Sequence, residues 1–566
     1  MATSNQQRSE LVAALWELKQ NLAKSDQPLR YVHFNMLLSD EDYRNEVISK
    51  AEASDMPAIR ALAERARTLN MGGKLLATST VGSYSGAGHP PHADYYSGSG
   101  PQPVGVNTEP AGWDDEEDVA VPHRSRLWLW LPLTALLAVA VAATAYLTLT
   151  GQLPLLDRSV RVSGSIFEST VWSGNRTYIL EDVVFVEAGA RLTIEPGAMV
   201  QGLPGSALVV TRDASLYARG EPSAPIVFTS AQPVGQRRRG DWGGVVLLGN
   251  APVNVANARI EGLPETDTRG YFGGPDQFSN CGLMEYARVE FAGFEAFANN
   301  ELNGLTLGGC GRNTVIRYVQ VHKALDDGVE MFGGNANLRH IVITGAADDS
   351  LDWDMGWRGN VQFLVVQQHA DDGDSGFEAD SNEADHDARP RSLPVIYNFT
   401  LVGSRSIQQA QRAMVLRRGT GGHFRNFIIT GFPLESVDIR DVAALSLLDS
   451  NELTFAGGIL YDIGPNGNEY FSSETGDGDD DGGFDEASYF QVSERRLFLG
   501  LNPQMPTAAF DPVNPDFTPA VTSPAVQGAV DVPQGEFWDE AAGYLGAIRP
   551  GVSRNWLDGW TAFPAD

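Results

Sequence analysis

Apolar residues recur at helical steps near the start of the chain, where Leu11, Leu15 and Leu18 of Ser9 to Lys24 share one face, and DEDYRNEVISKA and DMPAIRALAERARTL continue in the same style. Residues 1–76 therefore predict a small helical domain, either a stable cap or a docking module for a cytoplasmic partner. Residues 77–126, with GSYSGAGHPPHADYYSGSG and the acidic WDDEED, cannot bury a core and read as a disordered linker. Next comes LWLWLPLTALLAVAVAATAYLTLT, uncharged from Leu127 to Thr150. As a helix it would span about 36 Å, enough to cross a bilayer once. A cleaved signal peptide does not fit, because 126 residues precede it.

Beyond this segment the period falls to two and the pattern repeats. Val289–Phe291, Val319–Val321, Ile341–Ile343, Leu364–Val366, Phe399–Leu401 and Phe427–Ile429 begin 30, 22, 23, 35 and 28 residues apart. A second column runs in step: Val245–Leu247, Leu305–Leu307, Val329–Met331, Leu351–Trp353, Phe377–Ala379 and Met414–Leu416. Each of its members has apolar ends and a free middle position. Strands this short cannot bury a face alone, so coils of about 22 residues must stack with like strands paired in parallel. A sandwich of hairpins would need tight turns between neighbours, which this phase opposes. The expectation is an all-β ectodomain, a right-handed parallel β-helix over residues 159–530. Residues 531–566 depart from the repeat and would cap its open end.

The segments DWGGVVLLGNAPVN, ARVEFAG, NELNGLTLGGCG, YVQVHKALDDGVEMFGG, DDSLDWDMGWRGNVQFLVVQQ, GFEAD and FRNFIITG resemble a group of exported bacterial parallel β-helix proteins, described as lipoproteins or hypothetical proteins. The resemblance runs from about Val183 to Trp560. It implies the fold and export, and it transfers no catalytic residue. This chain departs from the group at the front, where no lipidated cysteine follows the apolar segment and a helical domain is added.

Charge narrows the choice of partner. The net charge is −31; residues 1–126 hold 12 Lys and Arg against 17 Asp and Glu, which leaves −26 for the remainder. Such a field repels nucleic acid and favours cations or basic partners. Polysaccharide or another envelope protein is the expected macromolecular partner. After Lys74 the only lysine is Lys323. The two cysteines, Cys281 and Cys310, precede the matched residues Val289 and Val319 by 8 and 9 positions, so they would sit on neighbouring coils. A disulfide is the expectation and two buried thiols the alternative. An oxidised pair places the β-helix in the periplasm or outside the cell, held by a single-pass anchor in a bacterial inner membrane with the N-terminus cytoplasmic. Arg124 and Arg126 before the anchor point the same way.

The free positions of the second column read Thr306, Glu330, Asp352, Glu378, Val415 in one row and Gly308, Phe332, Asp354, Asp380, Arg417 in the next. Asp326, Asp327, Asp348, Asp349, Asp371, Asp372 and Asp374 lie just upstream. Like charges on paired strands repel, so the column needs counterions, protons or open water. Arg417 is placed to balance Asp380, with Arg358 or Arg389 as helpers. Three readings follow: a metal site, with Glu330, Asp352, Asp354, Glu378 and Asp380 holding calcium; a solvated face with arginine partners; or catalysis by Asp352 with Glu378, or Asp354 with Asp380, as a glycosidase pair. The Gly-His-Gly and Arg-Ile-Lys signatures of pectinolytic β-helices are missing, so a non-catalytic scaffold is favoured over a lyase or hydrolase. His322, His340, His369 and His423 read as packed residues, with His369 beside Asp371 and Asp372 the best candidate for a polar cluster. Trp242, Phe332, Trp353 and Trp357 lie near the column, where exposed aromatics would stack on sugars, although Trp353 has inward parity. The acidic loop Ser472 to Ser488 resembles half a calcium loop without its distal Glu and reads as a flexible charged loop.

Overall fold

The computed structural model describes residues 11, 14–15, 18, 41–54, 56–70, 159–264, 266–297, 300–471 and 481–566. The expected linker, the apolar segment Leu127 to Thr150 and residues 472–480 of the acidic loop lie outside these residues. Among the described residues no helix is long and apolar enough to cross a membrane.

The N-terminal pattern gives helices. α1 spans Glu41–Glu52 and α2 spans Pro57–Leu69, with Pro57 in the first turn, where its missing N–H costs nothing. Ile59, Ala63 and Ala66 recur at helical spacing and are buried, as are Leu11, Ala14, Leu15 and Leu18. These side chains share one apolar cluster with outward residues of the β-helix, among them Val183, Phe185, Val209 and Val246. A single crossing at Leu127 to Thr150 would put a bilayer between the two groups, so that topology and this contact exclude each other.

From Ser159 the strands among the described residues pair in parallel, apart from one short antiparallel pair in a loop. Each full coil has three sides, in keeping with the expectation of at least two strands per coil, and the third is one that the two columns did not name. The reason is a bend within the long strands. Gly282–Glu290 pairs through its first half with Ser215–Arg219 and through its second half with Ile226–Ser230, two separate strands one coil earlier. In later coils a single residue in the left-handed region makes this corner: Tyr286, Tyr318, His340, Phe363, Asn398 and Asn426, with φ between 47° and 64°. That conformation is costly for such residues, and ring stacking offsets part of it. Tyr286 and Tyr318 stack at 4.5 Å, Tyr318 and His340 at 4.2 Å, His340 and Phe363 at 4.8 Å.

The third side is the short-strand column, Val245–Leu248, Leu305–Gly308, Val329–Phe332, Leu351–Asp354, Ser375–Ala379 and Arg412–Leu416. Its register is the one the alternation predicts, with Leu305, Val329, Leu351, Phe377 and Met414 in line. Leu307, Met331, Trp353, Phe377 and Leu416 point into one core that continues through Phe399, Phe424 and Phe427. The long-strand column needs one correction: Val319 pairs with Ala287, not Val289.

Residues 531–566 do not lie across the end of the solenoid. The chain turns back as a strap along its side, and several coils hand it a side chain. Asn426 bonds both backbone groups of Val530, Asn398 donates to the carbonyls of Ala542 and Tyr544, and Gln320 bonds Ala562. His322 donates through Nε2 to Pro564, and Lys323, the lone lysine of this region, donates to Ala565. The strap covers the outward apolar residues Val342, Val365, Val402, Ile428 and Ile459. The last coil is closed instead by helices α3, Val442–Asp449, and α4, Glu486–Phe490, whose Phe490 packs on Phe455 and Phe471.

Candidate functional site: an acidic column on the short-strand sheet

Strand alternation fixes the site. With Met331, Trp353 and Phe377 inward, Glu330, Asp352 and Glu378 point outward in register, and Asp354 and Asp380 form the next row. The turns before these strands supply a second line of groups. Asn303 Oδ1 accepts the Asp327 N–H at 3.1 Å, Asp327 Oδ1 accepts the Asp349 N–H at 3.1 Å, and Asp349 Oδ1 accepts the Ser375 N–H at 2.7 Å. This ladder holds Asp327 and Asp349 inside the structure, where they are buried. The long insertion 249–280 lies against the column. Phe272 packs on Phe332, and Asn254 donates to the carbonyls of Ser381 and Pro390 at 2.6 and 3.1 Å, which ties the insertion to the loop 381–392.

The column divides into two parts. At one end Arg417 donates to Glu378 and, at 2.8 Å, to Asp380, while Arg418 reaches the other Asp380 oxygen at 2.7 Å. Arg417 is thus where sequence placed it, and Arg418 is an addition. The proposed helpers do not serve: Arg389 lies 3.7 Å from Glu452, and Arg358 is exposed and makes no ion pair among the described residues. At the other end carboxylate oxygens of Asp327, Glu330 and Asp352 lie within 4.8 Å of one another, as do those of Asp326, Asp327 and Asp348. No Arg or Lys among the described residues ion-pairs with Asp327, Glu330 or Asp352. Asn303 donates to Glu330, but Oδ1 of Asp352 and Oδ1 of Asp354 are buried with no partner. Buried polar atoms are seldom left so.

The electrostatics follow from this placement. Withdrawal from water, then the neighbouring carboxylates, raises Asp327, Glu330, Asp349 and Asp352 well above the ordinary carboxylate range. Asp354 is raised to about 6 and Glu378 to about 7, in both cases first by burial, with Arg417 opposing the shift of Glu378. Glu261, in the insertion, is the carboxylate whose charge raises Glu330 most, and it is itself raised by burial. No periodic signal marks Glu261, so sequence reasoning passed over it. Asp327, read only as a turn residue, proves common to both carboxylate groups.

Other candidates are placed differently. Trp242, Trp353 and Trp357 are fully buried and Phe332 is 6% exposed, so they fill core or support the insertion and offer sugars no face. Burial holds His322 and His340 down at about 3 and His369 at about 4. Asp371 is bidentate to Arg239, both contacts at 3.0 Å, which separates it from any ligand role beside His369. Cys281 and Cys310 form a disulfide with a Cα separation of 5.7 Å. The register behind that expectation was off by two residues at Val289, yet the neighbouring-coil placement suffices.

A three-sided parallel β-helix with an acidic column on its outer surface defines the class: a β-solenoid whose candidate site lies on a sheet face. The chain belongs to the pectate-lyase-like β-helix domain family, whose model matches residues 164–474. No curated protein and no solved structure matches the chain.

Proposed function

We propose that this protein is a non-catalytic scaffold of the bacterial cell envelope whose acidic column takes a hard divalent cation such as calcium, and that Leu127 to Thr150 anchors it, a topology in which the N-terminal helices give up their packing on Val183 and Phe185. The observation that carries this reading is the group Asp327, Glu330 and Asp352, with oxygens within 4.8 Å and no basic partner among the described residues. An oxygen-only donor set of this kind suits calcium or magnesium and not a soft metal. Glu378 and Asp380, also expected as ligands, are already neutralised by arginine and are left out of the set. The disulfide supports a compartment outside the cytoplasm. The long charged surface suits an envelope polysaccharide or protein partner.

Calorimetric titration of the full chain with calcium and with magnesium tests the cation reading. Saturable binding that is abolished by Asp327→Asn and retained by Asp372→Asn supports it; heats of dilution alone refute it. The family match favours a second reading, a polysaccharide lyase or glycoside hydrolase using Asp352 and Glu378 or Asp354 and Asp380. It requires glycan turnover that Asp352→Asn or Glu378→Gln removes. A broad glycan panel without turnover, with calcium present or absent, rules it out.

A further inference from the structure

The sheet built from the first halves of the long strands carries a row of opposite sign. Its outward positions run Arg219, Glu285, Arg317, Arg339, each paired in register with the next. Glu285 serves two arginines, Arg219 Nε at 3.0 Å and an Arg317 terminal nitrogen at 2.9 Å. Arg339 makes no ion pair among the described residues; its guanidinium carbon lies 5.8 Å from the centre of the Phe363 ring. The row thus holds three guanidiniums and one carboxylate, which pairs with two of them, on a chain with 41 basic and 72 acidic side chains.

Two arginines opposite one another on paired strands repel, just as the carboxylates do. Donors are also left over. Arg317 Nε and Arg339 Nε are buried without an acceptor, and beside them His340 Nδ1 has no partner. The stacked rings of Tyr286, Tyr318 and His340 flank the row, and Trp560 and Trp556 of the strap meet those rings edge-on at 6.0, 6.2 and 5.1 Å. The row is thus bounded on one side by a wall. Glu285 already gives Arg317 the planar carboxylate that fits one guanidinium fork. The remaining donors come from two forks on adjacent coils, ~4.8 Å apart, a span that different oxygens of one tetrahedral group bridge.

We propose that Arg317 and Arg339 bind a tetrahedral oxyanion, the phosphate or sulfate group of an envelope glycan, on the sheet that carries Tyr286 and Tyr318. This site lies on another sheet from the acidic column and does not depend on the cation reading.

The test is calorimetric titration of the full chain at low ionic strength with inorganic phosphate, sulfate, polyphosphate and polygalacturonate. Phosphate and sulfate bind at one saturable site, and Arg339→Gln weakens both at least tenfold. Arg554→Gln, at an exposed position on the strap, changes neither by more than twofold. Polyphosphate binding more tightly than free phosphate, through Arg339, assigns a polymer ligand; equal affinity assigns the free ion, and the glycan part of the proposal falls. In phosphate-free buffer Arg339→Gln melts at or above the wild-type temperature, because it relieves Arg–Arg repulsion. No saturable binding, equal losses in the two variants, a lower melting temperature for Arg339→Gln in that buffer, or an Arg339-dependent preference for polygalacturonate overturns the proposal.

Discussion

Asp352→Asn separates a strained acidic cluster from a merely solvated one. Asp352 faces Asp327 and Glu330 with oxygens no more than 4.8 Å away. Two unit charges at that distance repel by about 3.5 kcal/mol at an effective dielectric of ~20. The two pairs that involve Asp352 would give about 7 kcal/mol if all three groups were ionised, of about 10 kcal/mol for the three pairs together. The cluster does not bear that load in full, because burial and mutual repulsion raise the proton affinity of all three groups and oppose their joint ionisation. The relief from removing one charge is therefore a fraction of the sum, about 1–3 kcal/mol at pH 8. In a β-helix of about 400 residues that raises the melting temperature by roughly 1–4 °C. The assay is scanning calorimetry of wild type and variant at pH 8, in EDTA and in millimolar calcium. Asp352→Asn should melt higher than wild type in EDTA and lose most of the calcium-induced rise. A variant that melts lower in EDTA, or that gains as much from calcium as wild type, refutes the reasoning.

Replacing Cys281 and Cys310 by serine opens a loop of sequence separation 29 and should cost roughly 3–4 kcal/mol, read as a lower denaturation midpoint that reductant no longer changes. Asn426→Ala removes both bonds to Val530 from a residue at φ 56° and should cost about 2–4 kcal/mol; limited proteolysis should then cut the strap faster, and an unchanged digestion pattern would show that the strap is held elsewhere. Across pH two sets of groups oppose. Carboxylates with raised folded pKa values, Asp354 at about 6 and Glu378 at about 7, stabilise below the unfolded range near 4 and lose that contribution as pH rises through 6 to 7. Histidines with depressed values, about 3 to 4, contribute fully above about 6.5 and lose stability as pH falls below it. The raised carboxylates outnumber the depressed histidines, so in EDTA the melting temperature should fall from pH 5 to pH 8, and calcium should raise it more at pH 8 than at pH 5; a calcium effect independent of pH would contradict the assignment. For topology, an impermeant maleimide should label Glu64→Cys only after lysis, because 24 uncharged residues allow one crossing. Labelling in intact cells would instead favour the helices packed beside Val183 and Phe185.

The short-strand column was legible because its inward residues are large and apolar and its outward ones polar, so parity alone gave both the strands and the acidic rows. Three features were hidden, each for a physical reason. The third side of the coil is made at a corner by a lone left-handed residue, and Tyr286, Tyr318, His340 and Phe363 are not types that announce a turn. The insertion carrying Asn254 and Glu261 has no period, so nothing local tells that it folds back on the column. The strap was visible as a break in the repeat, but only its partners, Asn398, Asn426 and Gln320, reveal that it runs along the side. Those polar residues sit among apolar neighbours in the sequence, and that mismatch is the signal that could have found it.

A solenoid multiplies whatever occupies a given position in its coil, because equivalents recur every ~4.8 Å. One acidic position becomes a column and one basic position a row, and neither can be dispersed by moving a single side chain. The acidic column is discharged at one end within the chain, by Arg417 and Arg418. At the other end Asp327, Glu330 and Asp352 have no such partner among the described residues, and protonation is what relieves their mutual repulsion in the absence of a cation. The basic row repeats the situation with the sign reversed, Glu285 serving Arg219 and Arg317 while Arg339 stands outside. Holding either arrangement costs stability that ordinary polar residues would not. A structural role alone does not repay that cost, whereas a cation on one side and an oxyanion on the other would, and both sites lie on rigid sheet and not on loops.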